Sequence, residues 1–332
     1  MTKKFYRFSA FSLALCLMVS VVIMALPPKE EYVSVEKDGF IKWVDFNVTY
    51  KALSECLKYD IETYQKDNHA SWIDLLAILS SRGGGAFKNY KTSDLTKITD
   101  ELSQGKKIEE ISKGLKSFSY YQEAYKAVLG GFVGEYEIER EDGSYEKKYG
   151  LKAFSPIAKG YSYSHFDDFG ASRSYGFKRK HLGHDMMGSV GTPIIAVESG
   201  YVECVGWNQY GGWRIGIRSF DKKRYYYYAH LRRDHPYNDM YEGKIVTAGD
   251  VIGYLGMTGY STKENVNNIN TPHLHWGMQL IFDESQKDAA AEIWIDVYAI
   301  TKLLEKNRSA VEKADKEYER KYEMFELGYR AE

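Results

Sequence analysis

Four histidines and one aspartate are the residues of this chain best suited to chemistry: His181 and Asp185 in His-Leu-Gly-His-Asp, His230 in Tyr-Ala-His-Leu, and His273 and His275 in His-Leu-His-Trp. Neutral imidazoles and a carboxylate are good zinc ligands, and a catalytic site takes about three protein ligands with one position left for water. Each fragment lies in or beside a strand-like run, so side chains far apart in sequence can converge on one face of a sheet. His273 and His275 are two apart, which on a strand puts both on the same side with Cα atoms ~6.8 Å apart. That spacing leaves open which of the two binds a metal. His181 and Asp185 are four apart, again same-sided if extended, with Gly183 permitting close approach or a kink. His184 between them is expected on the opposite side.

Taken singly each fragment is a weak signal, because short pairs of this kind are commonly surface patches or satisfied structural pairs. Their order is far more specific. His181-Leu182-Gly183-His184-Asp185 is followed by Gly191-Thr192-Pro193, Gly200-Tyr201-Val202, Tyr228-Ala229-His230-Leu231, Gly249-Asp250-Val251-Ile252-Gly253, Thr258-Gly259 and Pro272-His273-Leu274-His275. With these motifs, about residues 176 to 283 closely resemble the lysostaphin or LytM type of zinc metallopeptidase, family twenty-three of the metallopeptidases. The resemblance implies one zinc per chain held by His181, Asp185 and His275, with His230 and His273 off the metal and serving the reaction. It implies hydrolysis of peptide stems or cross-bridges of bacterial peptidoglycan, the zinc activating water and polarising the scissile carbonyl. How His230 and His273 divide proton transfer and charge stabilisation stays open. The alternative is a zinc-binding but non-hydrolytic scaffold that binds the cell wall or regulates a partner.

Several positions depart from the family pattern. His184 stands where an apolar residue is usual, and Gly277 follows Trp276 where a carboxylate often does, so support around the ligands is expected to differ. Ser261 to Thr271 is a long link and Ser162 to Lys180 a Tyr-rich lead-in; both are expected beside the groove. His165 and Asp167 in that lead-in, and His235, could mimic ligands; His165, His235 and His69 read as surface or loop residues. Tyr226 and Tyr228 alternate onto the face of His230, to line the groove or pack in the core.

The elements that must position these residues are read from pattern. Apolar residues at helical spacing recur from Tyr50 to Tyr64, from Trp72 to Leu79 with Ser71 as a cap, and in shorter runs to Leu129, predicting a helical module. From Glu135 the texture changes to Gly-punctuated alternation, starting with a hairpin at Asp142-Gly143. Strands are expected at Pro193 to Glu198, Tyr201 to Val205, Trp213 to Arg218, Arg224 to His230, Val251 to Leu255 and His273 to Phe282. From about Ala289, Leu304, Val311, Tyr318 and Phe325 lie seven apart among charges and predict a helix. The fold class expected is α+β: an antiparallel β-sandwich-like peptidase domain at 151–285, a helical module with a linker hairpin at 45–150, and a C-terminal helix at 286–332. This helical module or the tail offers a surface for a protein partner.

Phe8 to Leu26 is almost wholly apolar, follows Lys3, Lys4 and Arg7, and gives way to Pro27-Pro28. Its length nearly spans a ~30 Å hydrocarbon layer. Residues 1–27 are read as a membrane anchor in preference to a cleaved signal, with 28–44 as a stalk and the bulk of the chain extracytoplasmic, or secreted if the segment is removed. The net charge of −1 gives no electrostatic reason to expect nucleic acid as a partner. The 29 tyrosines suit a surface that grips polar polymers. Three cysteines, widely spaced, do not form a disulfide framework.

Overall fold

The computed structural model of the chain describes residues 40–140, 142–287 and 291–326. The apolar segment read as an anchor lies outside them, and among the described residues no helix is long and apolar enough to cross a membrane. Helices α1 (Tyr50–Thr63), α2 (Trp72–Gly83), α3 (Thr92–Ser103), α4 (Ile108–Ile111) and α5 (Phe118–Leu129) come first. Their starts follow from local chemistry. Thr49 accepts a hydrogen bond from the Ala52 amide and Ser71 from that of Ile73, satisfying donors that a helix start leaves unpaired. Gly84, with φ of 64°, ends α2 in the left-handed conformation that closes many helices.

The chain then forms antiparallel strands. β1 (Val133–Glu139) and β2 (Tyr145–Leu151) make the hairpin expected at Asp142-Gly143, where the Asp142 carboxylate accepts from the Ser144 amide. β3 (Ser164–Phe166) precedes the tight hairpin of β4 (Ser172–Tyr175) and β5 (Phe177–Lys180). β6 (His184–Met187), β7 (Pro193–Ile195), β8 (Gly200–Asn208), β9 (Gly212–Ser219), β10 (Arg224–Ala229), β11 (Ile245–Val246), β12 (Val251–Tyr254), β13 (His273–Leu280) and β14 (Ile293–Ile295) follow. The main sheet runs β11-β8-β9-β10-β13-β6-β3, with β14 also on β13, and β7 pairs with β12 in a small second sheet.

Register gives each face of the main sheet its character. Ile215, Tyr228, Trp276 and His184 lie in one row and are buried on the core face. One residue out of step, Ala229, His275 and Asp185 form a row on the other face. The core residues Ile215, Ile217, Tyr226, Trp276 and Met278 belong to the same apolar cluster as Leu53, Trp72, Leu75 and Val128 of the helices. The helices therefore share one interior with the sheet. Arg224 reinforces the junction: its guanidinium bonds Glu198 at 2.8 and 3.0 Å and donates to the Ala127 carbonyl at the end of α5 at 2.7 Å.

The tail corrects the helix expected over 286–332. Among the described residues of that span the α-helix is limited to α6 (Tyr298–Leu304); β15 (Val311–Ala314) and β16 (Glu317–Arg320) make a hairpin, and β17 (Met324–Glu326) pairs with β1. One apolar residue per seven is too narrow a stripe to bury a helix. The chain is instead held extended by Asn307, which donates to the Ala153 carbonyl at 2.8 Å, and by Arg308, which donates to the carbonyls of Ala158 and Tyr161 at 2.5 Å each. Asp315, at φ of 52°, makes the turn.

Candidate active site

β13 and β6 lie side by side, so His275 stands opposite Asp185 with its ring on the groove face. His181 arrives from the loop before β6, held there by its amide donating to the Ala171 carbonyl at 2.8 Å. Three donor atoms then converge. His181 Nε2 is 3.0 Å from Asp185 Oδ1 and 2.9 Å from His275 Nδ1, and His275 Nδ1 is 3.0 Å from Asp185 Oδ1. Gly183 makes this closeness achievable: a Cβ there would come within 2.6 Å of the His275 ring.

His230 and His273 stand beside this triangle, their rings 4.8 Å apart, with His273 Nε2 3.8 Å from Asp185 Oδ1. Each has its Nδ1 on a carbonyl oxygen, His230 on Thr258 at 2.9 Å and His273 on Thr271 at 2.8 Å. A carbonyl only accepts, so Nδ1 carries the proton in both and Nε2 is the nitrogen left for chemistry. His230 adopts φ of 63°, an uncommon left-handed backbone of the kind that clusters at functional sites. Gly259, at φ of 122°, crosses close enough that a Cβ would meet His230 Nδ1 at 3.0 Å.

That kink also settles the tyrosines. The strand alternation stops at Ala229, so Tyr226 and Tyr228 do not share a face with His230. Both are fully buried in the core, Tyr228 donating to nothing in the groove but accepting from the Val197 amide at 3.0 Å. Tyr225 and Tyr227 line the groove instead, a cavity of about 480 Å³ shared with Tyr210, Tyr260 and Trp294.

The electrostatics follow from burial and neighbours. Burial alone would raise the Asp185 carboxyl, but hydrogen bonds from His181 and His275 and the nearby imidazoles hold it well below the usual carboxylate range. Burial opposes charge on His181 too, yet Asp185 outweighs it and raises that imidazole. Burial first, then His273 and His275, push His230 well below the ordinary histidine value, so its ring is neutral at neutral pH. His275 is likewise lowered by burial despite Asp185.

Two supporting residues carry no signature in the sequence. Asp168 Oδ1 lies 2.7 Å from His181 Nδ1, an ion-pair distance without hydrogen-bond alignment, and sets which nitrogen of His181 faces the other donors. Arg173 contacts Asp168 and reaches Asp185 Oδ2 at 3.4 Å, leaving Oδ1 toward the triangle. The neighbouring Asp167 is the one the sequence pointed to. Where the family often has a carboxylate at position 277, the space is taken: a Cβ on Gly277 would come 2.9 Å from the Trp294 ring. His184 faces the core, its Nε2 2.7 Å from His165 Nδ1, and His165 continues to Glu305. The long link before β13 is pinned by Asn265, which accepts from the Trp213 indole at 2.9 Å and donates to Asp234 at 2.6 Å.

The donor set suits a divalent cation. Two imidazole nitrogens and a carboxylate oxygen meet with edges of 2.9–3.0 Å. Zinc bonds of ~2.0–2.2 Å in a tetrahedron need edges of about 3.4 Å, a small outward adjustment. No arrangement of protons satisfies three such atoms at once, whereas one cation does. Among the described residues His181, Asp185 and His275 form the one group of this kind whose ligand atoms all lie within 4.8 Å.

Residues 179–288 match the model of Peptidase family M23. The chain is 40% identical over 123 residues to the L-Ala--D-Glu endopeptidase of Bacillus subtilis (strain 168), covering 37% of this chain and 36% of that protein. It is 39% identical over 97 residues to lysostaphin of Staphylococcus simulans, covering 29% of this chain and 17% of that protein. The chain thus spans about a third or less of the length of these relatives. A crystal structure from Ruminococcus gnavus ATCC 29149, assigned as a glycyl-glycine endopeptidase lytM, superposes with a TM-score of 0.53 at 22% identity, over 81% of this chain and 92% of that one. That likeness extends the shared fold well beyond the matched domain.

Proposed function

We propose that the chain is a zinc metalloendopeptidase that hydrolyses peptide bonds in the stems or cross-bridges of bacterial peptidoglycan. The observation that carries this reading is the convergence of His181 Nε2, Asp185 Oδ1 and His275 Nδ1 beside two histidines whose Nε2 atoms are left free. The names of the relatives, L-Ala--D-Glu endopeptidase and lysostaphin, support the substrate class.

In this reading His181, Asp185 and His275 hold one zinc, which when bound acidifies water and polarises a carbonyl. Asp168 orients His181, and Arg173 balances the charge of Asp185. His230, neutral and with Nδ1 committed to Thr258, presents Nε2 as an acceptor for the attacking water's proton. His273, fixed by Thr271, presents Nε2, which when it also carries a proton, such as the one released by the water, can donate to the developing oxyanion or the leaving amine, and the pair shares these duties. Tyr210, Tyr227 and Tyr260 offer the peptide flat amphipathic walls. The helices act as a platform that fixes the sheet, and residues 8–26, on sequence alone, hold the protein to a membrane with its bulk outside the cytoplasm.

Mass spectrometry of fragments from chemically distinct peptidoglycans tests this. The zinc-loaded protein is expected to release new amino termini at one bond type, and His230→Ala to release none. Intact zinc-loaded protein that opens no peptide bond in any wall offered would leave the non-hydrolytic scaffold as the better reading.

A further inference from the structure

The basic side chains of the groove fall into two groups. Arg218 bonds Glu203 at 2.7 and 3.1 Å, Lys287 reaches the same carboxylate at 3.0 Å, and Arg173 serves Asp168 and Asp185. Arg179 and Arg214 line the same cavity, as does the exposed Lys180, and among the described residues none of the three has a carboxylate partner. Arg179 Nη1 and Arg214 Nε are both buried with no acceptor among the described residues. A buried charged donor left unmet is costly, and such groups call for an explanation.

Their setting supplies one. Arg179, on β5, is held over the rings of Tyr210 at 5.1 Å and Tyr260 at 5.0 Å, which fixes the guanidinium plane but leaves its N–H edge unused. Arg214, on β9, shares the groove face with Tyr227. Burial raises the Tyr227 hydroxyl above its ordinary value while Arg214 and Arg179 both pull it down, so the two guanidinium groups lie within electrostatic reach of one hydroxyl. The Tyr227 ring is 5.9 Å from that of His275.

We propose that Arg179 and Arg214 form a carboxylate-binding subsite next to the reactive centre, so that the preferred substrate is a peptide carrying a free carboxylate beside the bond that is cut. The proposal rests on the endopeptidase reading and names its substrate class. A planar guanidinium matches a carboxylate in two parallel hydrogen bonds, and its neutral carboxamide cannot replace that charge.

The test uses two synthetic peptides, L-alanyl-γ-D-glutamyl-L-lysyl-D-alanine amide with the glutamate α-carboxyl either free or as a carboxamide, and the zinc-loaded full chain. The free acid should be favoured by about tenfold to a hundredfold in kcat/KM, mostly through KM. The ratio should fall toward one in the Arg179→Gln/Arg214→Gln double variant and recover in part in Arg214→Lys. Calorimetric Kd values on His273→Ala protein should show the same preference without turnover. Equal use of both peptides by the wild-type protein, or a ratio that survives in the double variant, overturns the subsite. If neither peptide is cut, the endopeptidase reading is what fails for this substrate, and the Kd ratio alone decides the arginines. The wild-type comparison needs no substitution, so a variant that does not fold leaves the proposal equally exposed.

Discussion

On the core face of the central sheet the buried charged groups are paired, whereas in the groove on its other side polar groups are crowded together or left unmet. Arg224, 1% exposed, meets Glu198, Asp221 and the Ala127 carbonyl, and Tyr226 adds its hydroxyl to Glu198. One residue out of step, His275 faces Asp185 and His181 with no proton arrangement that serves all three, and in the same groove Arg179 and Arg214 have buried N–H groups without acceptors among the described residues. A period of two lets one strand do both jobs: the inward residues supply stability and the outward ones store interactions for ligands.

The sharpest break of this contrast is Asp185→Ala. It is expected to abolish zinc binding and to lower peptide hydrolysis by about 10⁴-fold or more, with the fold retained, because a charged ligand is lost where the activated water must form. Metal content by elemental mass spectrometry, with circular dichroism, checks it; an active variant with full zinc would break the account of the groove face.

Arg224→Met probes the opposite face. Removing one partner of a buried pair leaves Glu198 uncompensated, so unfolding stability in urea should drop by about 3–5 kcal/mol. Zinc bound per folded molecule should not change.

The third effect is pH-linked. Burial, with His165 next, pushes His184 down to about 4 in the fold, whereas in the unfolded chain it titrates near ~6.5. Its contribution is full above ~6.5 and is lost as pH falls through that value toward 4, because the unfolded chain takes up the proton first. The slope integrates to about 3 kcal/mol. Urea titrations of metal-free protein between neutral and acid pH should show His184→Leu with a shallower acid slope; parallel curves would contradict it.

Gly183→Ala should have the smallest effect. The added Cβ must displace the His275 ring, weakening zinc about tenfold to a hundredfold in competition with a chelator.

The sequence pattern reached the groove face more surely than the parts that support it. His181, Asp185, His230, His273 and His275 were legible through the order of their motifs and the family resemblance that order carries, whereas spacing on a strand showed only that His273 and His275 share a side. The structure does bring these five together. Asp168 and Arg173 were not legible, since nothing in the spacing of Asp167-Asp168-Phe169-Gly170 tells which carboxylate turns toward His181. Tyr226 and Tyr228 were ambiguous because the left-handed His230 breaks the alternation that relates them to it. The tail misled for a different reason: its charged residues favour helix locally, but pairing of β17 with β1 and the bonds of Asn307 and Arg308 are long-range. The shared interior of helices and sheet was hidden likewise, because Arg224 and Ala127 are far apart in sequence.

The central claim is tested most directly by diffraction on both sides of the zinc absorption edge, from crystals of protein loaded with zinc. The account predicts one anomalous peak per chain, bonded to His181 Nε2, Asp185 Oδ1 and His275 Nδ1 at ~2.0–2.2 Å, with His230 and His273 unbound beside it. A peak centred on His230 and His273, or no peak in that groove at full zinc loading, would contradict it.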